Sequence, residues 1–86
     1  MISIEKIMEN IPYDEDKKRE ALSSFGCNVA NVTEVGDNKI LIYKGGKYKL
    51  MITLIQNHIY SRLTNANGRI LGENHLEVRE NYARKN

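Results

Sequence analysis

Four groupings of side chains in this sequence have residue types that could do chemistry. Cys27 is the only cysteine, and with His58 or His75 as a base it would make a thiolate nucleophile. Its position just after a helix-forming stretch sets it against the negative end of a helix dipole, which disfavours a thiolate. No oxyanion-hole signature or third orienting group accompanies it. A lone cysteine also excludes an intramolecular disulfide and any cysteine-based zinc site. The sequence therefore reads Cys27 as a small residue at a helix-to-strand joint.

The densest acidic cluster, Asp14-Glu15-Asp16, lacks the loop spacing of a calcium site, and helix capping accounts for it. Lys17, Lys18, Arg19 and Glu20 follow as a solvated helix face, with Asp14 to Lys18 and Glu15 to Arg19 in the favourable i, i+4 order. Gly45-Gly46-Lys47 is too short to be a phosphate loop. His58 and His75 stand apart in sequence, one in a turn and one at a helix start, without neighbouring carboxylates. No catalytic, cofactor-binding or metal-binding residue is assigned, and no cofactor is expected.

The fourth grouping is basic and aromatic: Lys44, Lys47, Lys49, Arg62 and Arg69 with Tyr60 and Met51. It becomes a surface only if the chain folds so that these residues share one side. The elements that would bring them together begin with Lys39 to Ile55, two apolar-rich runs joined by Gly45-Gly46. Gly-Gly between β-rich runs supplies the positive φ angles of a tight hairpin turn. A turn at Gly45-Gly46 sets Lys44 opposite Lys47, Tyr43 opposite Tyr48 and Leu41 opposite Leu50. Leu41, Tyr43, Tyr48, Leu50, Ile52 and Leu54 then form an apolar face. Ile40, Ile42, Lys44, Lys47, Lys49, Met51 and Thr53 form a mixed one.

A turn at Gln56-Asn57 or Asn57-His58 leads to a further strand, His58 to Thr64. Either loop puts Ile59, Ser61 and Leu63 on the apolar face and His58, Tyr60, Arg62 and Thr64 on the mixed one, because a shift of two residues preserves the pleat. Before the hairpin, alternation from Cys27 to Val35 predicts a first strand, turned by Gly36-Asp37-Asn38. After it, Asn65 to Gly68 is a turn and Arg69 to Leu71 a short fifth strand. Residues 73–84 favour a C-terminal helix, with Leu76-Glu77-Val78 as an alternative strand. The mixed face is then either open or covered by that helix.

At the N-terminal end, Ser3 caps a stretch in which Ile4, Ile7, Met8 and Ile11 recur at helical spacing, and Pro12 stops it. Asp14 caps a second helix with Ala21, Leu22 and Phe25 on its buried side, ended by Gly26. No internal repeat or low-complexity segment is visible. The expected fold is α+β: a broken N-terminal helix packed on a four- or five-stranded antiparallel β-meander, with a short C-terminal helix, in a single domain spanning residues 1–86. The coarse α-β-β-β-α order resembles double-stranded RNA-binding domains. The lysine-rich helix start of those domains is missing here, so no residue role carries over.

The formal charge of +2 conceals an asymmetry. Residues 1–37 hold eight acidic and four basic side chains, whereas residues 38–86 hold three acidic and nine basic. The second half therefore suits an anionic partner. Without a membrane-length apolar run or a secretory signal, the expectation is a cytoplasmic protein that needs no membrane. The function expected is non-enzymatic: a protein-binding regulator or inhibitor of the kind found among phage and bacterial accessory proteins, with another protein as partner. The alternative is a nucleic-acid-binding module that uses the basic sheet face. Strand edges at Cys27 to Val35 and at Arg69 to Leu71 leave a homodimer open.

Overall fold

A computed structural model of the chain describes residues 3–26 and 31–77. Two helices, α1 (Ile4–Asn10) and α2 (Glu15–Phe25), precede five strands: β1 (Asn31–Val35), β2 (Asn38–Gly45), β3 (Tyr48–Ile55), β4 (His58–Asn65) and β5 (Ile70–Glu77). The strands form one antiparallel sheet in the order β1-β2-β3-β4-β5, an uncrossed meander. The α+β class and the broken N-terminal helix follow the sequence reading. Cys27 and the residues beyond Glu77 lie outside the described residues.

Both helix starts are set by capping oxygens. Ser3 Oγ accepts from the Lys6 amide at 3.2 Å, and Asp14 Oδ1 accepts from the Lys17 amide at 2.9 Å. Each satisfies an amide that has no partner within its helix. Ile11 leaves helical geometry immediately before Pro12, with ψ 121°. Gly26 ends α2 at φ 47°, a conformation that side chains disfavour.

Lys18 departs from expectation. It is buried, not solvated: its Nζ donates to the carbonyls of Ile11 at 2.8 Å and Glu9 at 3.3 Å, and lies 3.3 Å from Glu15 Oε2. Two of the ammonium's three protons go to these carbonyls, and the Glu15 carboxylate stands against its charge. Lys18 thus ties the carbonyl end of α1 to α2. The ion pairs also run i, i+3, Glu15 with Lys18 and Asp16 with Arg19, in place of the i, i+4 pairs expected. Drawing the Lys18 ammonium inward to the α1 carbonyls accounts for the loss of the Asp14–Lys18 pair.

The apolar face carries the core. Ile7, Met8, Ile11, Ala21 and Phe25 of the helical segment pack on Tyr48, Leu50, Ile52, Ile59 and Leu63. Leu50 and Leu63 are cross-strand partners, each fully buried and contributing about 1.5–3 kcal/mol by removal from water. Around them Ile4, Tyr13, Leu22, Leu41, Tyr43, Leu54, Leu71 and Leu76 complete the layer. Face membership in β2, β3 and β4 is as the alternation predicts.

The hairpin turn is displaced by one residue. Gly45 pairs with Tyr48 and Lys44 with Lys49, so the loop is Gly46-Lys47 and not Gly45-Gly46. Either loop begins with glycine, and Gly46 takes the positive φ, +56°. Packing breaks the tie, because the end of α2 lies directly on Gly45. A Cβ there would come 2.1 Å from the Ser24 carbonyl oxygen, and Ser24 Oγ donates to the Gly45 carbonyl at 3.0 Å. The new pairing moves each partner by two positions, so both faces survive. Positive φ recurs at Gly36, Gly46 and Gln56, the first loop residues of three successive two-residue turns.

The C-terminal helix expected from residue 73 is a strand as far as Glu77. β5 pairs with β4 from Ile70 to Glu77, with an irregularity between Leu63 and Thr64. Residues of high helix propensity are held extended by a ladder of backbone bonds to β4, whose edge would otherwise be bare. Gly72 permits this: a Cβ there would come 2.6 Å from Ile11 Cγ2 and 3.0 Å from the Pro12 carbonyl. The five strands and missing C-terminal helix also take the described chain away from the double-stranded RNA-binding order. No described helix is long and apolar enough to cross a membrane.

Candidate functional site

No described helix lies over the other face of the sheet, and the register arranges that face in rows. One row runs Thr33, Ile40, Thr53, Tyr60, His75 from β1 to β5. The next is Asn31, Ile42, Met51, Arg62, Glu73. A third, at the turn end, is Lys44, Lys49, Thr64, Ile70. Period-two alternation puts these residues together, and the meander orders them.

Of the residues singled out in the sequence, Lys44, Lys47 and Lys49 meet at one corner. With Asn65, Ala66 and Gly68 they line a shallow hollow of about 450 Å³ beside the Gly46-Lys47 turn. Lys44 and Lys49 face one another directly across β2 and β3. That pairing gathers positive charge at this corner. Met51, Tyr60 and Arg62 line a second groove of about 410 Å³, with Thr53, Ser61, Glu73, Asn74 and His75. Arg69 joins neither group; it sits in the β4–β5 loop, its backbone exchanging hydrogen bonds with Asn65.

Several of the groove's polar side chains are already partnered within the sheet. Arg62 Nε donates to Glu73 Oε2 at 2.7 Å. The Tyr60 and His75 rings lie parallel to within 7°, with centroids 4.5 Å apart. His75 also meets His58, Nε2 to Nδ1 at 2.9 Å. The sequence reading missed Glu73, His75 and His58 as a group because it held residues 73–84 to be helical. The signal was present, since Glu73, His75 and Glu77 alternate with period two.

On the covered side, Tyr48 O–H donates to Glu20 Oε1 at 3.0 Å, fastening α2 to β3. Burial, and then the hydrogen bond and charge of Glu20, raise the Tyr48 pKa above its ordinary value. No cluster of three or more metal-binding side chains occurs among the described residues. In comparisons with family models, with curated proteins and with solved structures, nothing matched the chain.

Proposed function

We propose that this chain is a non-enzymatic protein that binds another protein through the uncovered sheet face, its partner presenting acidic side chains beside apolar ones. The observation that carries this reading is the juxtaposition on one face of the Lys44, Lys47 and Lys49 corner with Ile40, Ile42, Met51 and Tyr60. Basic and apolar groups side by side suit a surface of opposite charge and shared apolarity. Occupying a partner's surface in this way fits a regulator or inhibitor.

The basic corner also supports a second reading, binding of single-stranded nucleic acid by backbone neutralisation and base stacking. It is the weaker one. Arg62 is held by Glu73, and Tyr60 already stacks on His75, so the groups that would grip a phosphate or a base are engaged.

Affinity capture from the native host with wild-type protein, a Lys47→Glu/Lys49→Glu variant and an Ile42→Asp variant distinguishes the readings. One protein retained by wild type after nuclease treatment, and lost with both variants, is the expected result. Capture that disappears with nuclease and falls steeply with salt, while Ile42→Asp leaves it intact, would replace protein with nucleic acid as the partner.

A further inference from the structure

The sheet assembles one further titratable cluster from residues distant in sequence: His58, opposite Glu77, and His75, opposite Tyr60. Their facing nitrogens, Nδ1 and Nε2, are 2.9 Å apart. The ring centroids are 5.1 Å apart and the planes inclined by 27°. That centroid separation exceeds the nitrogen separation by about two ring radii, so the rings meet edge to edge. A contact of this kind holds one proton, because one nitrogen donates and the other must keep its lone pair. Nitrogens aimed at each other do not converge on a third point, and the described residues supply no third metal ligand. The geometry therefore suits a shared proton better than a metal ion.

We infer that the His58–His75 contact is a pH-sensitive latch fastening β5 to β4. With both rings neutral, or with one extra proton on an outward nitrogen, the N–H···N bond persists. With both rings cationic, two N–H groups point at one another and repulsion replaces the bond. Acid therefore converts the bond into a repulsion. The surroundings permit one added charge more readily than two. β3 contributes Thr53 and Ile55, which are uncharged; β4 contributes Tyr60 and Arg62; β5 contributes Glu73 and Glu77. Arg62 and Glu73 offset one another at 2.7 Å, which among the described residues leaves Glu77, opposite His58, to balance a single imidazolium.

The consequence lies in β5, which the described sheet pairs on one side only. Opened β5 takes up both protons, whereas the latched strand takes at most one, so acid favours opening. The inference concerns the strand itself and holds whatever the face binds.

Amide hydrogen exchange of residues 74–77 in the full chain, corrected for intrinsic rates, measures the opening at pH 7.5 and 5.0. Wild type should open on the order of three- to tenfold more at the lower pH, the effect of losing one ordinary hydrogen bond. His58→Gln should abolish most of that difference, since its amide can pair with His75 in either protonation state; His75→Gln provides the same test from the other strand. In wild type at pH 7.5, imidazole nitrogen resonances should show one of the two facing nitrogens protonated and the other not. Unchanged protection between the two pH values, an equal acid response in the glutamine variants, or two facing nitrogens in the same state would each overturn the latch.

Discussion

The seating of α2 on the central hairpin makes a sharp prediction at Gly45. Replacing Gly45 with alanine would place a methyl group 2.1 Å from the Ser24 carbonyl oxygen, 2.6 Å from its carbon and 3.0 Å from the Phe25 nitrogen. These are backbone atoms, and no side-chain rotation relieves the overlap. Either the last turn of α2 lifts or β2 bends away. Forced insertion of a methyl group into packed structure costs about 1–3 kcal/mol, and loss of the Ser24 Oγ to Gly45 carbonyl bond adds about 1 kcal/mol. Alanine's lower unfolded-state entropy returns at most about 1 kcal/mol. The net loss should be roughly 2–3 kcal/mol, which lowers the Tm of a chain this size by roughly 10–20 °C. The control is Gly36→Ala in the β1–β2 turn. A Cβ there meets nothing within 4 Å, although φ is +62°, so only backbone strain of about 1 kcal/mol applies. Urea unfolding of the three proteins decides the matter. A Gly45→Ala midpoint no lower than that of Gly36→Ala would refute the close approach of α2 to β2.

Two further perturbations test the helical layer. Lys18→Met keeps the apolar stem but leaves the Ile11 and Glu9 carbonyls without their donor; a loss of about 1–3 kcal/mol in urea unfolding is expected, whereas Glu15→Gln should cost under about 1 kcal/mol because the Glu15 carboxylate is itself largely exposed and Lys18 keeps both carbonyls. Tyr48 carries the pH prediction. Its folded pKa is raised, so its contribution is intact below the ordinary value of 10.0 and is lost as pH climbs through the folded value. Unfolding midpoints should therefore fall above about pH 10 in wild type and less steeply in Tyr48→Phe, with tyrosinate absorbance reporting the ionisation directly.

The sequence made the helical segment and sheet faces legible because both depend on local rules. Ser3 and Asp14 cap where their side chains can reach the next turn's amides, and alternation from Ile40 to Leu63 assigns each residue to a face whatever the loop. What it left hidden depends on contacts across the molecule. The choice between turns at Gly45-Gly46 and Gly46-Lys47 is settled by Ser24, more than twenty residues earlier in the chain. Lys18 looks solvated on its own helix and is buried because α1 ends above it. Residues 73–77 satisfy helical and extended patterns alike, and only the vacancy beside β4 selects the strand. The grouping of Glu73, His75 and His58 then follows from the β4–β5 register, so one misassigned element concealed the polar half of the groove.

That polar half bears on the kind of partner the face suits. A face meant for permanent burial would be apolar at its centre, like the side beneath the helices, where Leu50 and Leu63 meet fully buried. The open face is apolar on β2 and β3, with Ile40, Ile42 and Met51, but across β4 and β5 it carries Arg62 with Glu73 and Tyr60 with His75, while the larger exposed aliphatics, Val35, Ile55 and Ile70, lie toward its margins. Those internal pairs satisfy the groove when nothing is bound and limit the continuous apolar surface that would drive self-association. On the proposed reading, a partner would compete with, or dock around, contacts already made, and the lysine corner would supply the long-range attraction. On that same reading, the polar β4–β5 side of the face favours a reversible complex over an obligate one, whose buried face would be apolar across every strand.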